Sequence, residues 1–350
     1  MKPIIIFASS LFSKKISGIP RYAYEVVKHL DKELEKENLD VRIVYPSDLK
    51  INVEGLNNIC LVPLDRKYKK FSLQVFKHVR KENGIICSFG HDYQFNRKGI
   101  ICIHDLAPLD KKEFYNFRFY KNYTLLKWNF KFNKSTIVTV SKYSRKMISK
   151  ICNIPEDKIY VIPNGYEHIL GIESDINIFK KLENVEIGDY FYSISSVAKH
   201  KNFKWIYEVA KRNPNKNFVI AGNINKEIWG IDGEEGKPSN VILCGYVSDE
   251  ENKALLENSK AFLFPSKYEG FGIPPLEALA LGKKIIISNA TCLPEIFGNC
   301  AVYFDPDDYD IDLDRAINQE VESPKEILKE YTWKNASKKW IKVFKTRQND

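Results

Sequence analysis

A loop rich in glycine and proline, with a carboxylate near each end, is the part of the sequence best suited to chemistry. Residues 266–277 run Ser-Lys-Tyr-Glu-Gly-Phe-Gly-Ile-Pro-Pro-Leu-Glu and follow a strand-like run that ends at Phe264. Gly270 and Gly272 let backbone amides approach a ligand closely, and the prolines suit the first turn of a following helix. Free amides at the start of such a helix form a site for a diphosphate.

The two carboxylates of this loop stand eight residues apart. We expect Glu277 to lie in the first helical turn and to accept hydrogen bonds from the two hydroxyls of a ribose, while Glu269, on the loop, faces a sugar. The alternative is an ordinary connection in which Glu277 merely favours the helix dipole. Because the glycines, the prolines and both carboxylates occur in one short segment, we favour the interpretation as a ligand site.

Short β-rich runs that alternate with helical patterns must position this loop. The first series of runs begins at Pro3, Arg42, Gly99, Thr136 and Ile159, and the second at Tyr190, Phe218, Asn240, Ala261, Lys284 and Ala301. Strands that are apolar on both faces are typical of parallel sheets covered by helices. At 350 residues, 44% of them apolar, the chain can bury two cores. We therefore predict an α/β fold with two Rossmann-like, doubly wound domains and a cleft between them.

Local signals predict the domain limits and several helix ends. We expect a first domain over residues 1–170, a linker at 171–184, a second domain at 185–325, and a helix in 326–350 that crosses back to the first domain. Within that last stretch the helix is predicted from Glu326 to Arg347. Two further signals lie in the second domain.

The first of these signals is a capping box, formed by Ser248 and Glu251, which predicts that a helix begins at Asp249. The second is Asn202, which precedes an apolar stripe and is expected to cap that helix.

The loop at 266–277 resembles the donor-binding signature of the retaining glycosyltransferases with the GT-B fold, the "glycosyl transferases group 1" family, which includes bacterial polysaccharide mannosyl- and rhamnosyltransferases. Residues 16–22 resemble the family's first loop, with Gly18 beside the donor phosphates. His104 follows a strand, where ligands lie in α/β sheets, and matches the family's histidine near the donor sugar. A satisfied core histidine is the alternative. Further landmarks of the family match residues 141–144, 163–165, 293–295 and 331–333.

One departure from the family concerns the cations that neutralise the donor diphosphate. The run at 195–202 supplies Lys201 for the family's lysine, but Ser196 or His200 stands where arginine is common. Lys199 and His200 are expected to compensate, because point charges also bind phosphate. A solvated run of loop charges is the alternative.

The resemblance implies retaining transfer of a hexose or deoxyhexose from a GDP-, UDP- or dTDP-linked sugar to a glycan or lipid-linked acceptor, in cell-surface polysaccharide or lipopolysaccharide biosynthesis. It implies catalytic roles for Glu269, His104 and Lys201. The residues expected to bind the donor are Gly18, Lys199, His200, Lys201, Gly270, Phe271, Gly272, Ile273 and Glu277.

No metal or other cofactor is expected. Aspartates alternate over residues 305–314, but they follow a strand and are expected to be solvated caps more than metal ligands. The alternatives to a transferase are a nucleotide-sugar epimerase or hydrolase of the same fold and, more remotely, a nucleic-acid-binding protein. The last is disfavoured because the two glutamates at 269 and 277 would repel a phosphate backbone.

Charge is divided unevenly along the chain. Residues 1–170 hold 30 Lys and Arg against 17 Asp and Glu, whereas the whole chain has a net charge of +9. Within that half, residues 111–134 combine seven basic and nine aromatic residues with one acid, which is typical of a surface that settles into anionic headgroups. An ordinary amphipathic helix is the alternative. We expect a cytoplasmic protein, peripheral at the inner face of the plasma membrane, with free, buried cysteines.

Overall fold

The structure is a computed structural model with two compact units, one formed by Met1–Gly165 together with Tyr331–Asp350 and the other by Tyr166–Glu330. It describes residues 2–12, 18–49, 51, 53, 55–66, 71–90, 98–115, 117, 120–125, 127, 134–182, 185–194, 196, 198–222 and 237–349. Each unit contains one parallel sheet with connecting helices, which confirms the predicted fold class.

The first unit is built on seven parallel strands in the order β3-β2-β1-β4-β5-β6-β7. Their bounds are β1 Ile4–Ile6, β2 Val41–Pro46, β3 Cys60–Leu64, β4 Ile85–Ser88, β5 Ile100–Cys102, β6 Thr136–Thr139 and β7 Ile159–Val161. The central strand β1 is isoleucine throughout and fully buried, since both faces of the sheet are covered. It pairs with β2 on one side and β4 on the other.

Helices from both ends of the chain cover this sheet. They are α1 Ile19–Leu34, α2 Phe71–Lys81, α3 Ala107–Asp110, α4 Lys142–Cys152 and, from the chain's end, α12 Trp333–Asn349. Helix α12 packs along α1. The indole of Trp340 donates to the Tyr22 hydroxyl at 2.8 Å, and both side chains are fully buried. These contacts make the last helix part of the first unit.

The second unit has six parallel strands in the order β10-β9-β8-β11-β12-β13. The strands are β8 Tyr190–Ile194, β9 Asn217–Ala221, β10 Val241–Gly245, β11 Ala261–Phe264, β12 Ile285–Ser288 and β13 Val302–Phe304. The helices are α5 Glu167–Leu170, α6 Phe203–Arg212, α7 Asp249–Glu257, α8 Ile273–Ala280, α9 Leu293–Phe297, α10 Leu313–Asn318 and α11 Lys325–Glu330. Trp205 of α6 stacks on Phe304 of β13, with ring centroids 4.0 Å apart, in the core of this unit.

Helix ends test the local sequence signals. The capping box is confirmed, because Ser248 and Glu251 hydrogen-bond reciprocally and α7 begins at Asp249. Asn202 does stand before α6, but the prediction that its side chain caps the helix is wrong. It has left-handed backbone geometry, and its amide donates instead to the Pro306 carbonyl at 2.8 Å.

Two other segments differ from the prediction. The helix expected from Glu326 to Arg347 is divided into α11 and α12, because the Thr332 hydroxyl accepts the amide of Asn335 and starts a new helix. Residues within the expected linker belong to the second unit: a 3-10 helix, Ile176–Lys181, is capped by Asp175, whose amide donates to the Glu250 carbonyl of α7.

Both sheets reverse their strand order at one point, and such a switch point is where open α/β sheets bind ligands. In the first sheet it lies between β1 and β4, and in the second between β8 and β11. All seven cysteines are free, and five are buried. Among the described residues, no helix is both long and apolar enough to cross a bilayer.

Candidate functional site

The loop from β11 to α8 leaves the second sheet at its switch point. Gly272 is the last residue of this loop and has φ +100°, a conformation that favours glycine. A β-carbon at this position would also lie 3.0 Å from the Leu293 side chain, so both the backbone conformation and the packing require glycine. Pro274 and Pro275 occupy the first turn of α8 as predicted. Because prolines have no amide, Ile273 provides the one amide among the first three residues of the helix. An anion at this helix start therefore needs cations beside it.

A second loop supplies those cations from the other side of the switch point. Lys199–Lys201 form a 3-10 helix after β8. The His200 carbonyl accepts the backbone amide of Lys267 at 2.7 Å and also the Ser266 hydroxyl at 3.3 Å. The structure therefore brings the predicted donor-binding residues of both loops together, although Ser195 and Val197 lie outside the described residues.

The two predicted catalytic residues of this unit contact each other. Lys201 Nζ lies 2.7 Å from Glu269 Oε1, with the two side chains 17% and 11% exposed. The ammonium is also 5.8 Å from the centre of the Phe264 ring. A carboxylate this shielded from water requires a cation or donors nearby, so each charge holds the other in place at the loop.

The backbone of Glu269 is held by Thr291 and Cys292, two residues that the sequence analysis did not identify. Its amide donates to Thr291 Oγ1 at 3.1 Å, and its carbonyl faces the Cys292 thiol at 3.3 Å. Burial, with a smaller contribution from the Glu269 charge, raises the pKa of Cys292, so the sulfur keeps its proton and donates. Thr291 has φ +53°, an uncommon conformation for a β-branched residue.

Glu277 occupies a different setting from the one expected. It is the fifth residue of α8 and so lies in the second turn, because the helix begins at Ile273. Its Oε1 accepts a hydrogen bond from His168 Nε2 at 2.6 Å. His168 lies 109 residues earlier, in α5, and no local motif pointed to it.

The first unit holds the other two predicted residues, Gly18 and His104. Gly18 has φ +57° and directly precedes α1, with open space where a β-carbon would be. His104 follows β5, and its Nε2 donates to the Phe89 carbonyl at 2.9 Å. The imidazole meets the Tyr22 ring edge-on, with centroids 4.7 Å apart, and the Tyr22 amide donates to the Gly18 carbonyl. Residues 13–17 of the predicted first loop lie outside the described residues.

The aspartate run of the second unit is engaged in turns, caps and ion pairs. Asp305 accepts the amide of Asp307, which is paired with Lys267. Asp312 accepts the amide of Arg315 and caps α10. These contacts agree with the capping role expected from the sequence.

The basic, aromatic segment at 111–134 is described in part. Phe117 is 77% exposed and Leu125 52% exposed, while Tyr123 packs against the core of the first unit. Lys112 lies over the Tyr120 ring, 4.5 Å from its centre. Residues 116, 118–119, 126 and 128–133 lie outside the described part of the chain.

Comparison with known proteins gives a consistent result. Residues 174–340 match the family described as "Glycosyl transferases group 1". The chain is 24% identical to O-antigen chain mannosyltransferase B of Escherichia coli over 97% of this chain and 99% of that protein. It is 28% identical to O-antigen chain mannosyltransferase RfbU of Salmonella typhimurium over 64% of this chain and 61% of that protein. A crystal structure of Anabaena HepE with UDP and glucose superposes with a TM-score of 0.71 at 13% identity, covering 99% of each chain, and so shares the fold.

Proposed function

We propose that this chain, in which residues 174–340 match the glycosyl transferases group 1 family, transfers a hexose or deoxyhexose, with retention of configuration, from a nucleoside diphosphate sugar to a glycan or lipid-linked acceptor. Two similar proteins are named O-antigen chain mannosyltransferases, so mannose is the first sugar to test, and cell-surface polysaccharide synthesis is the proposed context.

The observation that carries this proposal is the joining of two loops at the switch point of the second sheet. There Lys201 and Glu269 meet beside a glycine turn and a helix start. A diphosphate needs amides and a cation, and a sugar needs a carboxylate to accept from its hydroxyls. The arrangement supplies all of these within one unit.

We assign the roles from the charge that develops during transfer. Breaking the bond between the anomeric carbon and the diphosphate oxygen builds positive charge on the sugar and negative charge on the leaving group. Lys201 neutralises the leaving diphosphate, and Glu269 orients the sugar. The acceptor oxygen bonds to the anomeric carbon on the face that the diphosphate leaves, and its proton passes to the leaving phosphate oxygen. No lasting covalent intermediate forms, and Lys201 with the α8 dipole replaces a metal ion.

The ion pair of Lys201 and Glu269 sets the order of events. An incoming diphosphate competes with the Glu269 carboxylate for the Lys201 ammonium, because both anions form charge-assisted hydrogen bonds with it. Once the diphosphate has taken Lys201, Glu269 can turn to the sugar hydroxyls. In the first unit, Gly18 and His104 are proposed to contact the donor phosphates and the donor sugar, and the acceptor is proposed to bind this unit.

A thermal-shift screen against UDP-, GDP- and dTDP-linked sugars tests the donor assignment. A ligand at about 100 times its dissociation constant stabilises the folded state by roughly 2.7 kcal/mol, so one donor class should stand out. Product analysis with that donor then separates the activities: a transferase needs an added acceptor, whereas an epimerase or hydrolase converts the donor alone. An absence of binding by all three classes would refute the proposal, and an inverted anomeric product would refute retention.

A further inference from the structure

The short helix α5 packs against α8 and buries a histidine against a carboxylate. His168 Nε2 lies 2.6 Å from Glu277 Oε1, and the two side chains are only 4% and 11% exposed. Because a carboxylate oxygen can only accept, the proton of this hydrogen bond belongs to Nε2. The contact is therefore a directed donation from the first helix of the second unit to the middle of α8.

This donation fixes one oxygen of Glu277 and thereby orients the other. Among the residues that the structure describes, Oε2 of Glu277 has no hydrogen-bond partner. A carboxylate this buried is costly unless its oxygens are satisfied, so an oxygen left in this state is suited to a ligand hydroxyl. With Oε1 held, the plane of the carboxylate is set before any ligand binds.

Tyr192 of β8 does not provide a second donor to Glu277. Burial raises the pKa of Tyr192, and the charge of Glu277 is among the smaller contributions in the same direction. The Tyr192 hydroxyl nevertheless donates to Asn252 Oδ1 at 2.7 Å. The orientation of Glu277 therefore depends on His168 alone among the contacts of the described residues.

We propose that His168 is a positioning residue, which holds the Glu277 carboxylate in the orientation that recognises the ribose hydroxyls of the donor. This inference rests on the proposed function, since it takes Glu277 as the acceptor for the ribose. It adds a residue from outside the glycine loop, supplied by α5. A held carboxylate loses less conformational entropy on binding than a free one, so the histidine contributes to affinity without touching the nucleotide.

Calorimetric titration of the 350-residue chain with two matched pairs of ligands tests this role. The ligands are GDP and 2′-deoxy-GDP, and UDP and 2′-deoxy-UDP. For the base that the wild type prefers, we expect the ribonucleotide to bind about tenfold more tightly than its 2′-deoxy form, as for a hydrogen bond to a charged group. In His168→Asn the side-chain amide is too short to reach Oε1. This variant should therefore bind the ribonucleotide more weakly, and the ratio of its affinities for the ribonucleotide and the 2′-deoxy form should be close to one. His168→Gln, which can reach Oε1, should restore most of it.

A control separates orientation from stability. Tyr190→Phe removes a buried hydrogen bond of the same unit, from the Tyr190 hydroxyl to the Leu255 carbonyl at 2.6 Å, and should leave the ratio unchanged. If His168→Asn does not fold, His168→Met, which fills a similar volume without donating, takes its place.

The outcomes distinguish this inference from the function on which it rests. Glu277→Ala should abolish the preference for the ribonucleotide. If the wild type shows no such preference, or Glu277→Ala retains it, the assignment of Glu277 to the ribose fails and the role of His168 fails with it. If Glu277→Ala abolishes the preference while His168→Asn or His168→Met keeps the wild-type ratio, the positioning role alone is overturned.

Discussion

Replacing Gly272 by alanine tests whether the proposed binding of a nucleotide at this loop depends on the conformation of the glycine turn. The residue has φ +100°, and the added β-carbon would stand 3.0 Å from Leu293 and 3.4 Å from Phe297, both of which are buried. A left-handed conformation costs an alanine about 1–2 kcal/mol, and crowding in a packed core typically adds about 1–3 kcal/mol. We therefore expect Gly272→Ala to lower the free energy of unfolding by about 2–5 kcal/mol.

The other end of the same helix provides the matched control. Gly282 follows α8 with φ +72°, and no atom lies within 4 Å of the position that its β-carbon would take. Gly282→Ala should therefore cost only the backbone part, about 1–2 kcal/mol, and leave ligand binding unchanged. The difference between the two variants measures the crowding.

Urea denaturation of both variants gives the two stabilities, and titration with the preferred nucleotide gives the binding. Gly272→Ala should weaken binding about tenfold, because relief of the contact with Leu293 moves the amides of the turn, and each hydrogen bond to a phosphate contributes about 1.5–3 kcal/mol. Equal loss of stability in the two alanine variants, together with wild-type nucleotide affinity in Gly272→Ala, would refute this reasoning.

Four further predictions concern the site and its surroundings. Glu269→Ala and Lys201→Ala should each lower transfer by about 10²–10³-fold with the fold retained, as for loss of a charge-stabilising group, and wild-type turnover in either would remove the assignment. Thr291→Gly should be close to neutral in stability, because it relieves a left-handed φ but loses the acceptor for the Glu269 amide, and it should weaken donor binding more than Thr291→Ser does in the same titration. Excess EDTA should leave initial rates of transfer unchanged, and a loss restored by Mg²⁺ or Mn²⁺ would contradict the metal-independent mechanism. In a co-sedimentation assay, the segment at 111–134 should cause the chain to bind anionic vesicles at low salt and to dissociate from them at high salt. An absence of co-sedimentation at low salt would contradict the prediction that this segment binds membranes.

The elements that carry the site could be predicted because their signals are local. The apolar run at Ala261–Phe264 is buried on both faces, and the glycines and prolines that follow it mark the turn and the helix start. Ser248 and Glu251 likewise lie three residues apart and form their capping box within that span. In such cases the partners are close in sequence, so backbone geometry alone brings them together.

The features that escaped prediction depend on partners distant in sequence. The sequence predicts that Asn202 caps α6, but the fold brings the Pro306 carbonyl close to the Asn202 side chain. The side-chain amide donates to this carbonyl and does not cap the helix. The position of Glu277 in the second turn follows from helix geometry, whereas its bond to His168 spans 109 residues. Thr291 shows the same limit, since its contact with the Glu269 amide joins two loops that no periodicity connects.

The second unit brings together, at the carboxyl ends of β8 and β11, the groups that we propose for binding a diphosphate sugar, and topology explains why. Because β8 and β11 are neighbours at the switch point of the sheet, the loops that follow them begin side by side at the carboxyl ends of the strands, and the His200 carbonyl of one loop accepts the Lys267 amide of the other. Lys201 lies on the first of these loops and Glu269 on the second, so their ion pair also joins the two loops. A ligand that binds there must replace the pair with interactions at least as favourable to both charges. A diphosphate linked to a sugar offers an anion to the lysine and hydroxyls to the glutamate, whereas inorganic diphosphate offers only the first.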